Sequence, residues 1–444
     1  MDRKIFAVMN KNDLTSLEIF QNMKNGKFLL RGSKEWDSDI QFSRYNADFS
    51  YLDILTDNYK AVGTQQLIKY FTSFGLQDHL NAVEELIRNG GHEGIEFYYH
   101  KQKDIGVAFC KHSNNAGLQN RKHAIRAGAM RRHELNEPEI DVIRDGLNLS
   151  RAMTYKNACG GLPFGGCKTV IQCNPVKTDD LETIGFISYV ADKTRCFPGA
   201  DMGLDETMVD IIRSKYTKNY VGGTKSPLVT TGLPTAYGEY MAIKEACDFC
   251  YGSTDLSNKT IAIQGLGHVG FELVNYLVKE NARLFITDID LNKVKKVQQI
   301  HGTNSIQYVK PDEIYTVDAD IFSPCAMGGI ITEESIPKFK FKIIIGAANN
   351  QLKATSKKEE LVLAKKLAEY GILFAVDWSH NTGGVIAAAF LWQRQDEATE
   401  KDLMPIIEAT CKTKFRQVLN KSKLSGKTPT EIAYEEVENL LNRN

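Results

Sequence analysis

The chain has 444 residues, 42% of them hydrophobic and 25% charged, and its 55 Lys+Arg equal its 55 Asp+Glu. That length exceeds one ordinary core and predicts two domains. The even charge balance gives no electrostatic basis for binding nucleic acid or an anionic membrane.

Residues 1–93 are mixed and charged, with helical patterns over Thr64–Phe74 and Leu80–Arg88 and no motif. The N-terminus lacks a secretory pattern, and no apolar run in the chain approaches the roughly 20 residues that span a bilayer. From Ile95 the pattern turns strand-like, with Ile95–His100 and Ile105–Cys110 reading as paired strands. Glu137–Tyr155 has apolar residues at near-helical spacing, and Thr178–Asp192 and Glu206–Ser214 read as two more helices. Arg121-Lys122-His123 and Arg131-Arg132-His133 are short basic clusters, read as solvated or substrate-side patches.

Val221–Pro234 is rich in Gly, Thr and Pro and reads as a hinge. A helix, Tyr237–Cys250, follows, and then strands alternate with helices: Thr260–Gln264, Arg283–Thr287, Ile321–Phe322, Ile343–Gly346 and Leu373–Val376. That alternation predicts a parallel sheet covered on both faces. After Gly384 the chain reads as helices that pack back across the cleft between the domains. The expected fold is therefore α/β in two domains, a mixed α/β domain over 94–233 and a doubly wound, parallel-sheet domain over 234–385. Residues 1–93 are an N-terminal extension of the first domain, and 386–444 are the C-terminal helices. The nine cysteines are scattered and odd in number, which fits free thiols in a reducing, cytoplasmic setting. Cys247 and Cys250 lie within a predicted helix without a second pair at zinc spacing, so no metal site is expected.

The stretch from Met153 to Ile171 (MTYKNACGGLPFGGCKTVI) sets Lys156 and Lys168 on either side of a loop with four glycines and a proline. Glycine lets backbone pass close to a bound molecule. A lysine in a tight, partly dry place loses its proton more readily, because burial disfavours the charged form. Two lysines in different surroundings can divide two tasks, one holding a carboxylate and the other trading protons. A carboxylate, Asp201, stands in the later turn Gly199-Ala-Asp-Met-Gly203.

Thr260-Ile-Ala-Ile-Gln-Gly-Leu-Gly-His-Val-Gly270 carries a G-x-G-x-x-G run between an apolar strand and the amphipathic segment Phe271–Glu280. Gly265 permits the tight turn and Gly267 admits a pyrophosphate to the backbone, with His268 and Val269 beside it. Gly270 lets helix and strand pack closely, and the helix N-terminus turns its positive end to the phosphates. Asp288 ends the next strand, placed to accept from ribose hydroxyls and to repel the additional phosphate of NADP, which favours NAD. Cys325 and Ala326 after one strand, and Ala348 and Asn349 after another, border the same end of the sheet.

These motifs resemble the glutamate/leucine/phenylalanine/valine dehydrogenase family, closest to its leucine dehydrogenase-like branch, over roughly Gly94–Leu391. The resemblance implies an enzyme, an NAD-dependent oxidoreductase that reversibly deaminates an L-amino acid to a 2-oxo acid and ammonia and works as a homo-oligomer, with 94–233 the substrate and oligomerisation domain and 234–385 the Rossmann dinucleotide-binding domain. It implies that Lys156 binds the substrate α-carboxylate, that Lys168 acts on water and the carbinolamine, and that Asp201 exchanges protons with the amine. Thr235 and Asn350 then lie near the nicotinamide, Asn381 closes the cleft floor in the turn Asn381-Thr-Gly-Gly384, and Gly199 and Ala388 are small pocket positions. His380 is read as a structural residue.

Two departures stand out. The family's Gly-Gly before the first lysine is Ala127-Gly128 here, and the residue meeting the substrate side chain becomes Arg126. An arginine there either grips a carboxylate with two hydrogen bonds or points to solvent. A branched-chain or aliphatic substrate is favoured, with an acidic, glutamate-like substrate read by Arg126 as one alternative and a non-catalytic binding or assembly member as another.

Overall fold

The computed structural model describes residues 3–22, 24–46, 48, 53–113, 125–228, 232–354 and 356–441. The basic cluster at 121–123 and part of the predicted hinge, 229–231, fall outside those residues. The chain divides into two units, Met1–Thr154 with Pro163–Val229, and Tyr155–Leu162 with Thr230–Asn444.

The first unit begins with α1 (Lys4–Lys11), β1 (Ser16–Gln21), β2 (Phe28–Lys34), β3 (Lys60–Gly63), α2 (Thr64–Ser73) and α3 (Gln77–Asn89). It continues through β4 (Gly94–His100), β5 (Ile105–Ser113), β6 (Arg126–Ala127) and β7 (Met130–His133) into α4 (Glu139–Cys159). The last turn of α4 counts with the second unit. After it come β8 (Gly165–Gln172), α5 (Leu181–Lys193), β9 (Cys196–Phe197) and α6 (Glu206–Lys215). One sheet runs β3-β2-β1-β4-β5-β8-β6-β9, with β7 also pairing to β8.

The strands β1–β3 correct the reading of the first ninety residues, in which only helices were expected. Ser16–Gln21 buries alternate residues, Leu17 and Ile19, but its polar positions dilute the period-2 signal. The missed β8 has the opposite problem. All eight of its residues are buried, so it shows no alternation, and its glycines and lysine mask an apolar run. Register fixes its place: Lys168 lies opposite Cys110 of β5, and Thr169 lies beside Met130 of β7. One side of the sheet is covered by Phe6, Leu80, Ile143 and their neighbours, the other by Trp36, Phe42, Phe186 and Ile212.

The second unit contains α7 (Gly232–Tyr251), β10 (Thr260–Gln264), α8 (His268–Lys279), β11 (Arg283–Thr287), α9 (Leu291–His301) and β12 (Ile306–Tyr308). Then follow β13 (Ile321–Pro324), β14 (Ile343–Ile344), α10 (Lys357–Glu369), β15 (Leu373–Phe374), α11 (Gly383–Arg394), α12 (Glu400–Ser425) and α13 (Pro429–Leu441). Its six strands are ordered β12-β11-β10-β13-β14-β15, and every pairing is parallel. This is the doubly wound order, whose switch point lies between β10 and β13. The short strand β12 was not expected from sequence. Helix α8 starts three residues before the expected Phe271, because Gly267 is its N-cap and glycines give no helical signal. Among the described residues no helix is long and apolar enough to cross a membrane.

Candidate active site

Within the first unit, β8 carries Lys168 into the interior, where its side chain is 5% exposed. Such a cation needs a partner, since an unpaired buried charge is costly. The partner is Asp201: Lys168 Nζ donates to Asp201 Oδ2. Asp201 is held in its turn by an isolated bridge to Leu204, while Gly199 bridges to Val221. Gly203 takes φ +80°, and a Cβ there would stand 2.6 Å from Arg132 Cβ, so the tight turn requires glycine.

A second cation meets the same carboxylate. Arg131 Nε lies 3.2 Å from Asp201 Oδ2, and the Met202 amide donates to Oδ1 at 2.8 Å. Burial pushes the Asp201 carboxyl up, but Lys168 and Arg131 outweigh it and bring the pKa down to about 2. Arg131 is the charged partner of Asp201 that sequence reasoning did not single out. The signal was its place in the Arg131-Arg132-His133 cluster, taken for a solvated or substrate-side patch, although β7 directs these side chains alternately to either face. Arg131 continues to Asp145 of α4 at 3.1 Å. Asp145 also meets His133 Nε2 at 3.3 Å.

Arg126 of β6 does not point freely to solvent. Its Nη2 lies 2.9 Å from Glu93 Oε2, with the Arg126 side chain 13% exposed. The guanidinium is thus already engaged by a carboxylate of the protein itself. Gly199 is half-buried in the same unit.

In the second unit, the last turn of α4 presents Lys156, whose Nζ donates to Asn349 Oδ1 at 2.5 Å. Asn349 and Asn350 follow β14, and Asn350 takes φ +52°, the left-handed conformation that asparagine tolerates best among non-glycine residues. Asn381 Nδ2 donates to the Ala347 carbonyl at 2.7 Å. The Asn381 turn leads into α11 through Gly383, where a Cβ would fall 2.2 Å from the Pro234 carbonyl oxygen. This glycine therefore brings α11 against the segment that holds Thr235. Ala388 is half-buried on α11.

Two buried groups next to these were not assigned site roles. Asp377 is buried, and burial raises its carboxyl pKa against the opposing pull of Lys156 and His380. His380 is fully enclosed, with Nδ1 3.1 Å from both Glu239 carboxylate oxygens and Nε2 3.3 Å from the Ala375 carbonyl. Both ring nitrogens thus face acceptors, which fits the doubly protonated ring. Burial opposes that charge, yet Glu239 raises the pKa.

The glycine run stands at the carboxyl end of β10, beside the switch point. Gly265 has φ +95°, and a Cβ there would lie 2.7 Å from Ala326 Cβ. At Gly270 a Cβ would lie 1.9 Å from the Gly265 carbonyl oxygen, whereas at Gly267 it would meet nothing within 4 Å. The first and third glycines are thus demanded by packing, and the middle one opens space at the start of α8. His268 is exposed there, and Val269 is half-buried. Asp288 accepts from the Leu266 amide at 2.7 Å and the Asp290 amide at 2.8 Å, and Lys293 Nζ lies 3.7 Å from it. The Cys325 amide donates to the Gln264 carbonyl at 2.7 Å, and the Ala348 amide to the Pro324 carbonyl at 2.8 Å. These bonds hold both loops to the strand ends, where open α/β sheets bind ligands. Open space at Gly267, a helix N-terminus and an acidic residue after β11 fit a dinucleotide.

Comparison with known proteins agrees with this geometry. Residues 285–439 match the family described as Glutamate/Leucine/Phenylalanine/Valine dehydrogenase. Residues 122–218 match the Glu/Leu/Phe/Val dehydrogenase dimerisation domain. The chain is 42% identical over 257 residues to the phenylalanine dehydrogenase of Lysinibacillus sphaericus, covering 56% of this chain and 65% of that protein. It is 40% identical over 258 residues to the leucine dehydrogenase of Thermoactinomyces intermedius, covering 56% and 67%. The chain thus spans about two thirds of the length of these curated relatives. The crystal structure of L-tryptophan dehydrogenase from Nostoc punctiforme superposes with a TM-score of 0.64 at 31% identity, covering 81% of this chain and 99% of that one. The chain belongs to the glutamate/leucine/phenylalanine/valine dehydrogenase family. It is an oxidoreductase of the amino acid dehydrogenase kind, within a family of NAD(P)-dependent enzymes.

Proposed function

We propose that this chain reversibly converts an L-amino acid, water and an oxidised nicotinamide cofactor into a 2-oxo acid, ammonium, the reduced cofactor and a proton. We further propose that the cofactor is NAD and that the substrate side chain is aliphatic and leucine-like. The observation that carries the reading is the Lys168–Asp201 pair, in which the lysine is buried and the carboxylate half-buried. It joins a proton-carrying amine to a carboxylate in one enclosed place, which is what moving protons between water and a substrate nitrogen requires.

NAD, when bound, would supply the hydride acceptor for oxidation at the substrate α-carbon. The chain's own residues bind and handle protons. Lys156 holds the α-carboxylate through its ammonium, oriented by Asn349. Lys168 in its neutral form takes a proton from the attacking water and, as the ammonium so formed, later returns one to the leaving nitrogen. Asp201 stabilises the positive charge on that nitrogen. Asn350, Asn381 and Thr235 border the nicotinamide. Gly265, Gly267, His268, Val269 and Gly270 take the pyrophosphate, with Cys325, Ala326 and Ala348 lining the strand ends.

Asp288 supports NAD over NADP, because an anion after β11 accepts from ribose hydroxyls and repels a 2′-phosphate. The Glu93 partner of Arg126 supports an uncharged side-chain pocket, since that guanidinium is already neutralised. Gly199, a small residue of the same unit, supports room for the substrate side chain. The match of the first unit to a dimerisation domain supports a homo-oligomer. Free cysteines support a cytoplasmic setting. The test is consumption of NADH or NADPH with ammonia and a panel of aliphatic, aromatic and dicarboxylic 2-oxo acids. The reading expects NADH and a branched-chain acid to give the highest kcat/KM. A preference for 2-oxoglutarate would replace the aliphatic substrate with the acidic one.

A further inference from the structure

We propose that Arg131 is a positioning residue for the deamination chemistry: it holds Asp201 Oδ2 jointly with Lys168 and leaves Oδ1 as the oxygen that meets the substrate nitrogen. This rests on the reading of Asp201 given above.

The geometry assigns the lone pairs. An ionised carboxylate offers about four acceptor sites, two on each oxygen. Oδ2 accepts from Lys168 Nζ and from Arg131 Nε at 3.2 Å. Oδ1 accepts the Met202 amide at 2.8 Å and retains one site. Arg131 is itself fixed from the other end. Its Nη1 reaches Asp145 Oδ2 at 3.1 Å and Oδ1 at 3.4 Å. The rigid fork of a guanidinium can span two carboxylates, whereas a lysine ammonium is a single point charge. The charged groups around Asp201 are Lys168 from β8 and Arg131 from β7. Behind Arg131 stand Asp145 from α4 and His133 from β7, the latter 3.3 Å from Asp145 and 2.8 Å from Glu137. Without Arg131, Asp201 keeps one cation and can swing about its side-chain torsion.

A displacement of about 1 Å at a reacting group costs on the order of 10²-fold in rate. The test is Arg131→Met, with Arg131→Lys beside it and thermal unfolding measured for both. Arg131→Met is expected to lower kcat about 10- to 100-fold, with KM for amino acid and for NAD within about threefold of wild type. The acid limb of kcat/KM moves to higher pH, and Arg131→Lys recovers part of the loss. A merely structural arginine would lower the melting temperature and leave kcat and the acid limb in place, and that result overturns the proposal. If Arg131→Met does not fold, Arg131→Lys decides: wild-type kcat in it overturns the proposal, and a reduced kcat at an unchanged melting temperature upholds it. Asp201→Asn in the same assay separates the two readings. An active Asp201→Asn removes the role of Asp201 and this inference with it. An inactive Asp201→Asn beside a fully active Arg131→Met removes the inference alone.

Discussion

Lys168 and Asp201, thirty-three residues apart in sequence, form an ion pair in which the lysine is all but excluded from solvent. The pair unites a group that can carry a proton with one that stays negative. Lys168→Ala is expected to lower kcat by about 10²- to 10⁴-fold, the usual worth of a positioned acid–base group. NAD affinity should persist, because the glycine turn lies in the other unit. Steady-state turnover together with titration of NAD binding checks both halves. Full activity in this variant would remove Lys168 from the chemistry.

The same pair sets an acid limit on stability. The Asp201 pKa falls from its ordinary 3.8 to about 2 in the folded chain. A group depressed on folding stabilises the native state above its unfolded value, and that contribution is lost as pH falls from about 4 towards 2. A shift of this size corresponds to about 2 kcal/mol at neutral pH. Asp201→Asn should therefore be less stable than wild type at neutral pH, with the gap closing as pH falls through that window. Denaturant unfolding at a series of pH values measures it, and a gap independent of pH would contradict the linkage.

Gly267 and Gly270 separate folding from cofactor binding. A methyl group at Gly267 meets nothing within 4 Å, and one at Gly270 runs into the Gly265 carbonyl oxygen at 1.9 Å. Gly267→Ala should keep its melting temperature and lose NAD affinity about tenfold or more, since the methyl enters the pyrophosphate approach. Gly270→Ala should lose stability by about 1–3 kcal/mol, as overpacking does. Calorimetry and NAD titration of the two variants read these outcomes, and equal behaviour would contradict the distinction.

Arg126 and Glu93 make a chain-internal pair at 2.9 Å. An arginine already neutralised does not call for an acidic substrate. Arg126→Leu should therefore change kcat/KM for aliphatic and dicarboxylic 2-oxo acids by similar factors, within about threefold of each other by the affinity arithmetic. A selective loss of the dicarboxylic substrate would show that Arg126 reads its side chain.

His380 and Glu239 form a pair with no exposed surface. Removing one partner of a buried pair costs about 3–5 kcal/mol, so Glu239→Gln should be markedly destabilised. The raised pKa of His380 fixes the sign of its pH dependence. Its contribution is complete below the ordinary imidazole value of 6.5 and is lost as pH rises through the folded value. Stability that declines on alkaline titration in wild type and flattens in His380→Gln is the expected result.

The Rossmann-type half of the chain was legible in sequence because strand, glycine run and helix follow one another locally, and Asp288 closes the next strand. Lys156, Lys168 and Asp201 were legible as candidates because of their glycine-rich settings. Arg131 was hidden because its role depends on β7 lying beside β8, a pairing no local pattern reveals. His380 was legible as a structural residue, but its partner Glu239 was not, since it lies 141 residues away. The strands of the first ninety residues were lost because polar positions on β1 and β2 obscure the period-2 pattern, and β8 because burial of every residue removes that pattern altogether.

The most direct test of the proposed activity is reductive amination itself, followed at the nicotinamide absorbance with NADH, ammonia and a panel of 2-oxo acids, wild type beside Lys168→Ala. The account predicts ammonia-dependent NADH oxidation by wild type, fastest with a branched-chain acid, and its near loss in the variant. No NADH or NADPH oxidation with any acid of the panel would contradict it and would leave the chain a non-catalytic member of its family.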